Sequence, residues 1–589
     1  MIKKLLLLVI VPAALLLFAK FAAMPILMHS WNAVVDYTPP FTAPLPAGKA
    51  GKPLTDQVVI VVVDALRDDA SRAPSMVTLN GLRAKGAALT MTVGQPSLSL
   101  PGWSVIGTGT WQEGSGVTTN WFKGAVKTDS IFAQARRNGL RTAVVGGREW
   151  EQLYGSSLDV MKWFPTPPDA YTNPDAVGKE DDEVLATALS LLKGDQRPAL
   201  LLVHFAGPDD AGHGRGGASE VYKQVVKGID DRLARLAAEM DLTRSTLIVT
   251  ADHGTSDPGG HGGWEDAVLK VPFVAVGKGV KAGSYPAATQ ADIAPTLAML
   301  LGTSIPAHSQ GEPLFDLLEL PERTRAERAF DGAQQLAGFY AQYARAIGAL
   351  PFDHTRLMAA EEALVKGDIS ASYHASREFA QDIRRQAEAA RGSRLGGERL
   401  GRTPLVILLL APFVLWLIVM AWQRMAVGAP LAGALLYCAA YNTLFFGRGN
   451  LFSLSAFNSE DRIEAFFTQR GTDALIALAL AALLAGILSR RRTIYEATMA
   501  GANALFLVAL GLAVQVLAFY WMWNWEFSWY LPDLAWGFKY YLDILQTSAF
   551  WPLAYLPAAA ILPLLSGLVS RLARIGMKAG PQPAAPKPA

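Results

Sequence analysis

Apolar runs of two kinds divide this chain, and the length of each run predicts its element. The short runs are rich in β-branched residues: Val58 to Val63, Thr142 to Val145, Ala199 to Val203, Leu247 to Thr250 and Pro272 to Val276. A run without polar alternation fits a strand buried on both faces of a sheet. Between these runs the apolar positions fall four apart, as Val221, Val225, Ile229 and Leu233 do within 218–236. That is the spacing of a helix with one buried stripe. Strands separated by helices predict an α/β domain over 57–320, built on a mostly parallel sheet flanked by helices.

The long runs predict a membrane part. Lys3 and Lys4 precede an apolar stretch from Leu5 to Leu27, broken only by Lys20, so residues 1–28 read as a retained signal anchor. Residues 29–56 carry Thr38-Pro39-Pro40, Pro44 and Pro46 and read as an extended stalk. Residues 321–402 are charged and Ala-rich, a helical connector. Five apolar segments follow, at 404–422, 426–446, 473–489, 499–523 and 549–570, each close to the ~20 residues that cross a bilayer. They define a five-span α-helical membrane domain over 403–572, with a tail at 573–589.

Lys3-Lys4, Arg424, Arg490-Arg491-Arg492 and Arg571 with Arg574 and Lys578 all fall on one side if every segment spans. The positive-inside rule makes that side the cytoplasm and puts both termini there, in an inner or plasma membrane. Residues 30–402 and the loops near 447–471 and 524–548 then lie outside. Composition agrees: 51% of residues are hydrophobic and only 18% charged. A formal charge of +2 gives no reason to expect a nucleic-acid partner. Cys438 is the only cysteine and lies in an apolar run, so cysteine supplies neither disulfides nor a metal site to the polar part.

Four of the eight histidines lie within 204–261, together with Asp209, Asp210, Asp252 and Asp257. Aspartate and imidazole together suit zinc or a similar divalent ion. Asp64 follows the strand 58–63, Asp209 lies a few residues past 199–203, and Asp252-His253 follow 247–250. Sites in open α/β sheets form at the carboxyl ends of strands, so these ends would meet at one edge.

The segments Val62-Val63-Asp64-Ala65-Leu66-Arg67, Pro208-Asp209-Asp210-Ala211-Gly212-His213, Ala251-Asp252-His253-Gly254 and His261-Gly262-Gly263 resemble the metal motifs of the alkaline phosphatase superfamily. Within it they resemble the type I phosphodiesterase/nucleotide pyrophosphatase branch. They are closer still to the glycosylphosphatidylinositol (GPI) ethanolamine phosphate transferases, whose motifs are similar to Asp252 through Gly263 and to Gln290-Ala291-Asp292-Ile293-Ala294-Pro295-Thr296-Leu297. The resemblance covers 57–318.

It implies an alkaline phosphatase-like fold and two divalent metal ions, expected to be zinc. Asp64, Asp252 and His253 would hold one, with the nucleophile as a further ligand; Asp209, His213 and His261 would hold the other. Asp209 rather than Asp210 matches the ligand position, four before the histidine. His204 reads as a structural neighbour of the ligands. Pro96-Ser97-Leu98-Ser99-Leu100-Pro101-Gly102 resembles the loop of the nucleophile, which aligns with Ser99; Ser97 is the second candidate. A hydroxyl needs metal coordination to ionise near neutral pH. Glu113 through Asn120 resembles the stretch ending in a phosphate-binding asparagine, so Asn120 would donate to a phosphoryl oxygen. Ser99-Leu100-Pro101 also begins the sulfatase motif, but Trp103 stands where that motif needs arginine.

The resemblance implies a phosphotransferase moving a phosphoethanolamine-type headgroup between lipid or lipid-linked phosphodiesters. A membrane-anchored phosphodiesterase or phosphatase is the alternative, and a catalytically dead scaffold is a third reading that the full ligand set opposes. The membrane spans favour a lipid substrate. Arg448 and Arg462 on one outer loop are candidates to hold a lipid phosphate, since guanidinium pairs phosphate in bidentate fashion. The other outer loop carries Trp523, Trp525, Glu526, Trp529 and Tyr530. The chain departs from the transferases in having serine for threonine as nucleophile, and fewer spans than the eukaryotic enzymes carry.

Overall fold

A computed structural model describes residues 24–167, 169–422, 424–457, 463–489, 494–534 and five single positions up to 546. The signal anchor before residue 24, the arginine cluster 490–492, the segment 549–570 and the tail lie outside the described residues, as do Asp461 and Arg462.

Nine strands form one sheet: β1 (Gln57–Val63), β2 (Ala87–Thr92), β3 (Thr142–Gly146), β4 (Val160–Trp163), β5 (Leu200–Phe205), β6 (Ser245–Thr250), β7 (Lys270–Gly277), β8 (Gly283–Ser284) and β9 (Ala288–Thr289). The order is β4-β3-β5-β1-β6-β7-β2-β8, with β9 also on β2. β1 lies between β5 and β6, parallel to both, and all seven of its residues are buried. This is why its sequence shows no alternation. β7 alone runs against its neighbours β6 and β2. The direction of β7 is not readable from an apolar run. β2 and β4 went unpredicted because the alternation in Leu89-Thr90-Met91-Thr92 is only four residues long and Val-Met-Lys-Trp has none.

Two groups of helices cover the sheet. Pro174–Lys193, Gly207–Arg215 and Glu220–Ala238 pack together, as do Ser99–Thr108, Ile131–Arg137 and Ile293–Leu301. Because β1, β5 and β6 are parallel, their carboxyl ends share one edge of the sheet. There Ala65 takes a positive φ of 58°. This conformation is strained for a residue with a Cβ. Its N–H donates to Asp252 Oδ1 and its carbonyl accepts from the Tyr222 hydroxyl, which hold it in place.

The Pro-rich segment after the helix Met24–Val35 is extended, but it is bound to the domain along its length. The Ala43 carbonyl accepts from His308 and Gln342, the Lys49 carbonyl accepts from Arg328, and Gly51 N–H donates to Gly302. Extended chain without internal hydrogen bonds leaves its carbonyls free for such partners.

Among the described residues, three helices, Gly428–Gly447, Glu464–Leu488 and Ala500–Trp523, are long and apolar enough to cross a membrane. A fourth candidate is the end of Ile369–Trp422, a 54-residue helix bent near residue 412. The connector and this apolar end thus belong to one bent helix. A second apolar core joins the two parts of the molecule. Val34, Tyr37, Phe41, Phe339 and Phe379 share it with Phe445, Leu454, Trp529 and Tyr530. The aromatic residues that follow Ala500–Trp523 thus pack against the connector: the Trp529 indole donates to Glu398, and Arg394 lies over its ring.

Candidate active site

The carboxyl ends of β1, β5 and β6 bring together the residues that the motifs singled out. Asp64 follows β1, Asp252 and His253 follow β6, and the helix Gly207–Arg215 after β5 presents Asp209 and His213 one turn apart. His261 arrives on the glycine-rich loop beyond β6. His253 Nε2 lies 3.4 Å from Asp64 Oδ1 and 3.6 Å from Asp252 Oδ2. Asp209 Oδ2 lies 3.3 Å from His213 Nε2, and Asp209 Oδ1 lies 3.5 Å from His261 Nε2. Asp64-Asp252-His253 and Asp209-His253-His261 each cluster closely enough to hold a metal ion, so His253 stands between two groups.

Hydrogen bonds fix how the imidazoles face. His253 Nδ1 is 3.0 Å from the Gly254 carbonyl and His261 Nδ1 is 3.1 Å from the Ser97 carbonyl. A carbonyl only accepts, so each Nδ1 carries the proton and each Nε2 turns a lone pair toward the carboxylates. The His261 lone pair also faces His213 Nε2 at 3.1 Å. His204 is turned the other way: Gly147 N–H donates to its Nδ1, so Nε2–H donates to Asp64 Oδ2 at 3.1 Å. His204 thereby orients Asp64.

Burial lowers all three imidazoles, His253 to about 4 and His204 and His261 to about 3, so they are neutral near pH 7. Burial and the neighbouring Asp209 carboxylate push Asp252 up to about 7, and burial with Asp252 and Asp209 raises Asp64 well above the carboxylate range. Burial also acts to raise Asp209, but His213 and His261 outweigh it and hold Asp209 low. Asp64 Oδ1 and Asp209 Oδ1 are buried without a hydrogen-bond partner. Carboxylate oxygens and imidazole lone pairs converging on shared space need a cation to be satisfied.

Ser99 and Ser97 differ in their surroundings. Ser99 is the first residue of the helix Ser99–Thr108, and its Oγ lies 3.2 Å from His253 Nε2. Ser97 is buried, and its hydroxyl donates to the Gly263 carbonyl at 2.9 Å. A helix N-terminus favours negative charge at Ser99. Leu100 N–H donates to Asn120 Oδ1 at 3.0 Å, which turns the amide NH₂ of Asn120 to the outside. Gly102 permits the approach of this helix, because a Cβ there would lie 2.9 Å from the Asp252 carbonyl oxygen.

Asp210 is buried away from the imidazoles, near Glu180 and Asp181, and burial with Asp209 raises it. Asp257 pairs with Arg67 at 2.6 Å. Arg448, which stays partly exposed, pairs with Asp473 at 3.0 Å, as does the buried Arg470.

The motifs missed two supports. The Trp103 indole, stacked on Trp150, donates to Asp252 Oδ2 at 2.8 Å, and Gln290 donates to the Asp252 carbonyl at 2.7 Å. Trp103 is the residue that opposes the sulfatase reading, and its position alone gave no sign of this contact.

A mostly parallel sheet thus carries a carboxylate–imidazole cluster and a helix-borne serine at its carboxyl edge. Residues 58–268 match the family model "Type I phosphodiesterase / nucleotide pyrophosphatase". The chain is similar to the catalytic subunit of GPI ethanolamine phosphate transferase 2 of Homo sapiens, 28% identical over 289 residues, 45% of this chain and 28% of that protein. It is also similar to GPI ethanolamine phosphate transferase 1 of Schizosaccharomyces pombe, 25% identical over 382 residues, 55% of this chain and 40% of that protein. The chain thus spans less than half the length of these relatives. Among solved structures it is similar to murine ectonucleotide pyrophosphatase/phosphodiesterase 5, with 14% identity, 45% of this chain, 100% of that chain and a TM-score of 0.37. It is likewise similar to the alkaline phosphatase PafA, with 12% identity, 47% of this chain, 100% of that chain and a TM-score of 0.39.

Proposed function

We propose that this chain is a metal-dependent membrane phosphotransferase that moves a phosphoethanolamine-type headgroup from a phospholipid to a lipid-linked acceptor through a phospho-Ser99 intermediate. The observation that carries this reading is Ser99 Oγ at the mouth of the His253–Asp64–Asp252 group, on a helix N-terminus. Asp64, Asp252, His253 and Ser99 would hold one divalent cation, and Asp209, His213 and His261 a second. Zinc suits this mixture of imidazole and carboxylate. Two such ions supply positive charge to the attacking and leaving oxygens of an in-line displacement.

In the first half-reaction Ser99 Oγ forms a bond to phosphorus. The ester bond to the donor's glyceride oxygen breaks, and that alcohol leaves with the proton lost by Ser99. In the second, an acceptor hydroxyl attacks phosphorus, the Ser99–phosphorus bond breaks and Ser99 regains a proton. The amide of Asn120 donates to a phosphoryl oxygen in both steps. Water as acceptor would make the same site a hydrolase. The similarity to the transferases and the apolar helices support a lipid acceptor, with the catalytic domain outside the cytoplasm.

The test uses full-length protein in lipid nanodiscs with phosphatidylethanolamine labelled in its headgroup, with and without glycolipid acceptors. Label on the Ser99 peptide that chases into the acceptor supports transfer, and label released to water supports hydrolysis. Turnover unchanged in Ser99→Ala, or label on Ser97, sinks the mechanism.

A further inference from the structure

Between the apolar helices Gly428–Gly447 and Ile463–Leu488 the chain reads Phe452-Ser453-Leu454-Ser455. Serines in a short connection between spans ordinarily face water, yet Ser453 and Ser455 are buried. Ser453 caps the single turn Leu454–Ala456 by accepting from Ser455 N–H. The capped turn aims the Ser455 hydroxyl at the catalytic domain. There Gly263 N–H donates to Ser455 Oγ at 3.1 Å, and Ser455 Oγ–H donates to Glu265 at 2.9 Å. One hydroxyl is thus both acceptor and donor to the loop that follows His261.

The same loop is tied back to the site. The Gly263 carbonyl accepts from Ser97 Oγ, and the Ser97 carbonyl accepts from His261 Nδ1. Leu98 and Leu454 close over Gly262, each within 3.4 Å of where a Cβ would stand. At Gly263 a Cβ would lie 1.8 Å from Ser453 Oγ and 2.6 Å from Ser455 Oγ, so only glycine admits this contact. Trp264 closes the joint by donating to the Phe452 carbonyl at 3.1 Å. Three hydrogen bonds, joined through the covalent frames of Gly263 and Ser97, therefore link the membrane domain to the Nδ1 proton that turns the His261 lone pair toward Asp209.

We propose that Ser455 is a positioning residue for His261, so that the outer loop of the membrane domain holds one half of the candidate metal site in register. The inference rests on the reading of His261 as a ligand. It assigns the membrane domain a part in building the site, beyond tethering it.

The test compares three variants of the full-length protein: Ser455→Ala, Ser455→Thr and Trp264→Phe. Trp264→Phe removes a hydrogen bond of the same joint without touching Gly263. Metal-free protein is titrated with Zn²⁺ by calorimetry, and amide exchange of the peptide spanning 258–266 is followed in the metal-loaded protein. Ser455→Ala should weaken the weaker Zn²⁺ site by about tenfold, the loss of a buried hydrogen-bonded pair, and speed exchange of that peptide. It should lower kcat on a soluble chromogenic phosphodiester with little change in KM. Ser455→Thr should restore all three, and Trp264→Phe should leave Zn²⁺ affinity intact. Wild-type Zn²⁺ affinity in Ser455→Ala overturns the inference. So does an equal loss in Ser455→Ala and Trp264→Phe, which would make the joint only adhesive. If the wild-type protein turns over no phosphoester while Ser455→Ala still weakens Zn²⁺ binding, the proposed activity fails and the positioning role stands.

Discussion

The molecule buries charge in two places, in opposite ways. At the sheet edge, Asp64, Asp209 and Asp252 face imidazole lone pairs, and two carboxylate oxygens have no hydrogen-bond partner. At one end of the apolar helices, the buried Asp473 pairs with the guanidiniums of Arg448 and Arg470, and Arg470 lies against the rings of Phe445 and Phe466. The second cluster sets opposite charges against one another and lays a guanidinium on aromatic faces. The first repels itself until something positive enters. Buried charge alone therefore does not mark a functional site. Its sign balance, and the direction of its lone pairs, separate a ligand set from a structural ion pair.

The sharpest way to break this comparison is to remove the central anion of one cluster and a support of the other. Asp473→Ala leaves the buried Arg470 guanidinium and the exposed Arg448 without their partner and should cost about 3–5 kcal/mol of stability, with or without metal. Denaturant unfolding in detergent measures it, and a loss below about 1 kcal/mol would show the ion pair to be ornamental. His204→Gln tests the other cluster at its support: the rotated Asp64 should bind zinc about 10–100-fold more weakly while the fold holds.

Acidity distinguishes the clusters next. His253 and His261, at about 4 and 3, have no proton to release near neutrality, whereas Asp252 at about 7 and the raised Asp64 do. Metal binding requires the carboxylates, so Zn²⁺ affinity should fall as pH drops through about 7. At pH 6 it should be about tenfold weaker than the plateau above pH 8, with protons released on binding. Calorimetry in buffers of different ionisation enthalpy counts those protons, and a count of zero at pH 6.5 contradicts the assignment. The smallest effect has the more telling sign. Asp64→Asn can keep its acceptor for His204 and donate its amide to the lone pair of His253. It should make the metal-free protein more stable by about 1 kcal/mol while abolishing zinc binding at that position. A thermal melt with chelator checks it, and destabilisation there would mean that the cluster is satisfied without a cation.

Much of the site was legible along the chain because its parts are tied to local pattern. A continuous apolar run is a buried strand, and the residue just past it lies at the sheet's carboxyl edge; Asp64, Asp252 and His253 follow from that alone. Asp209 and His213 fall four apart, one turn of helix. What stayed hidden depended on distant partners. Ser97 and Ser99 are alike in sequence, and only the Gly263 carbonyl beside one and His253 beside the other separates them. Asp209 and Asp210 are neighbours on one helix, and rotation about its axis turns one to the imidazoles and the other to Glu180 and Asp181. Arg448, exposed in any reading of the loop, meets Asp473 only when two helices pack.

By itself, then, the sequence determined the alternation of strands and helices, the apolar helices, and the chemistry collected at the strand ends. These follow from periodicity and spacing over a few residues. The tertiary structure alone decided that β7 runs against its neighbours, which ring nitrogen each histidine turns inward, that Trp103 holds Asp252, and that Ser455 meets Gly263 across 192 residues of chain. Those features depend on which surfaces meet once the sheet and helices pack, and the free energy of that meeting lies in contacts that no local window of sequence contains.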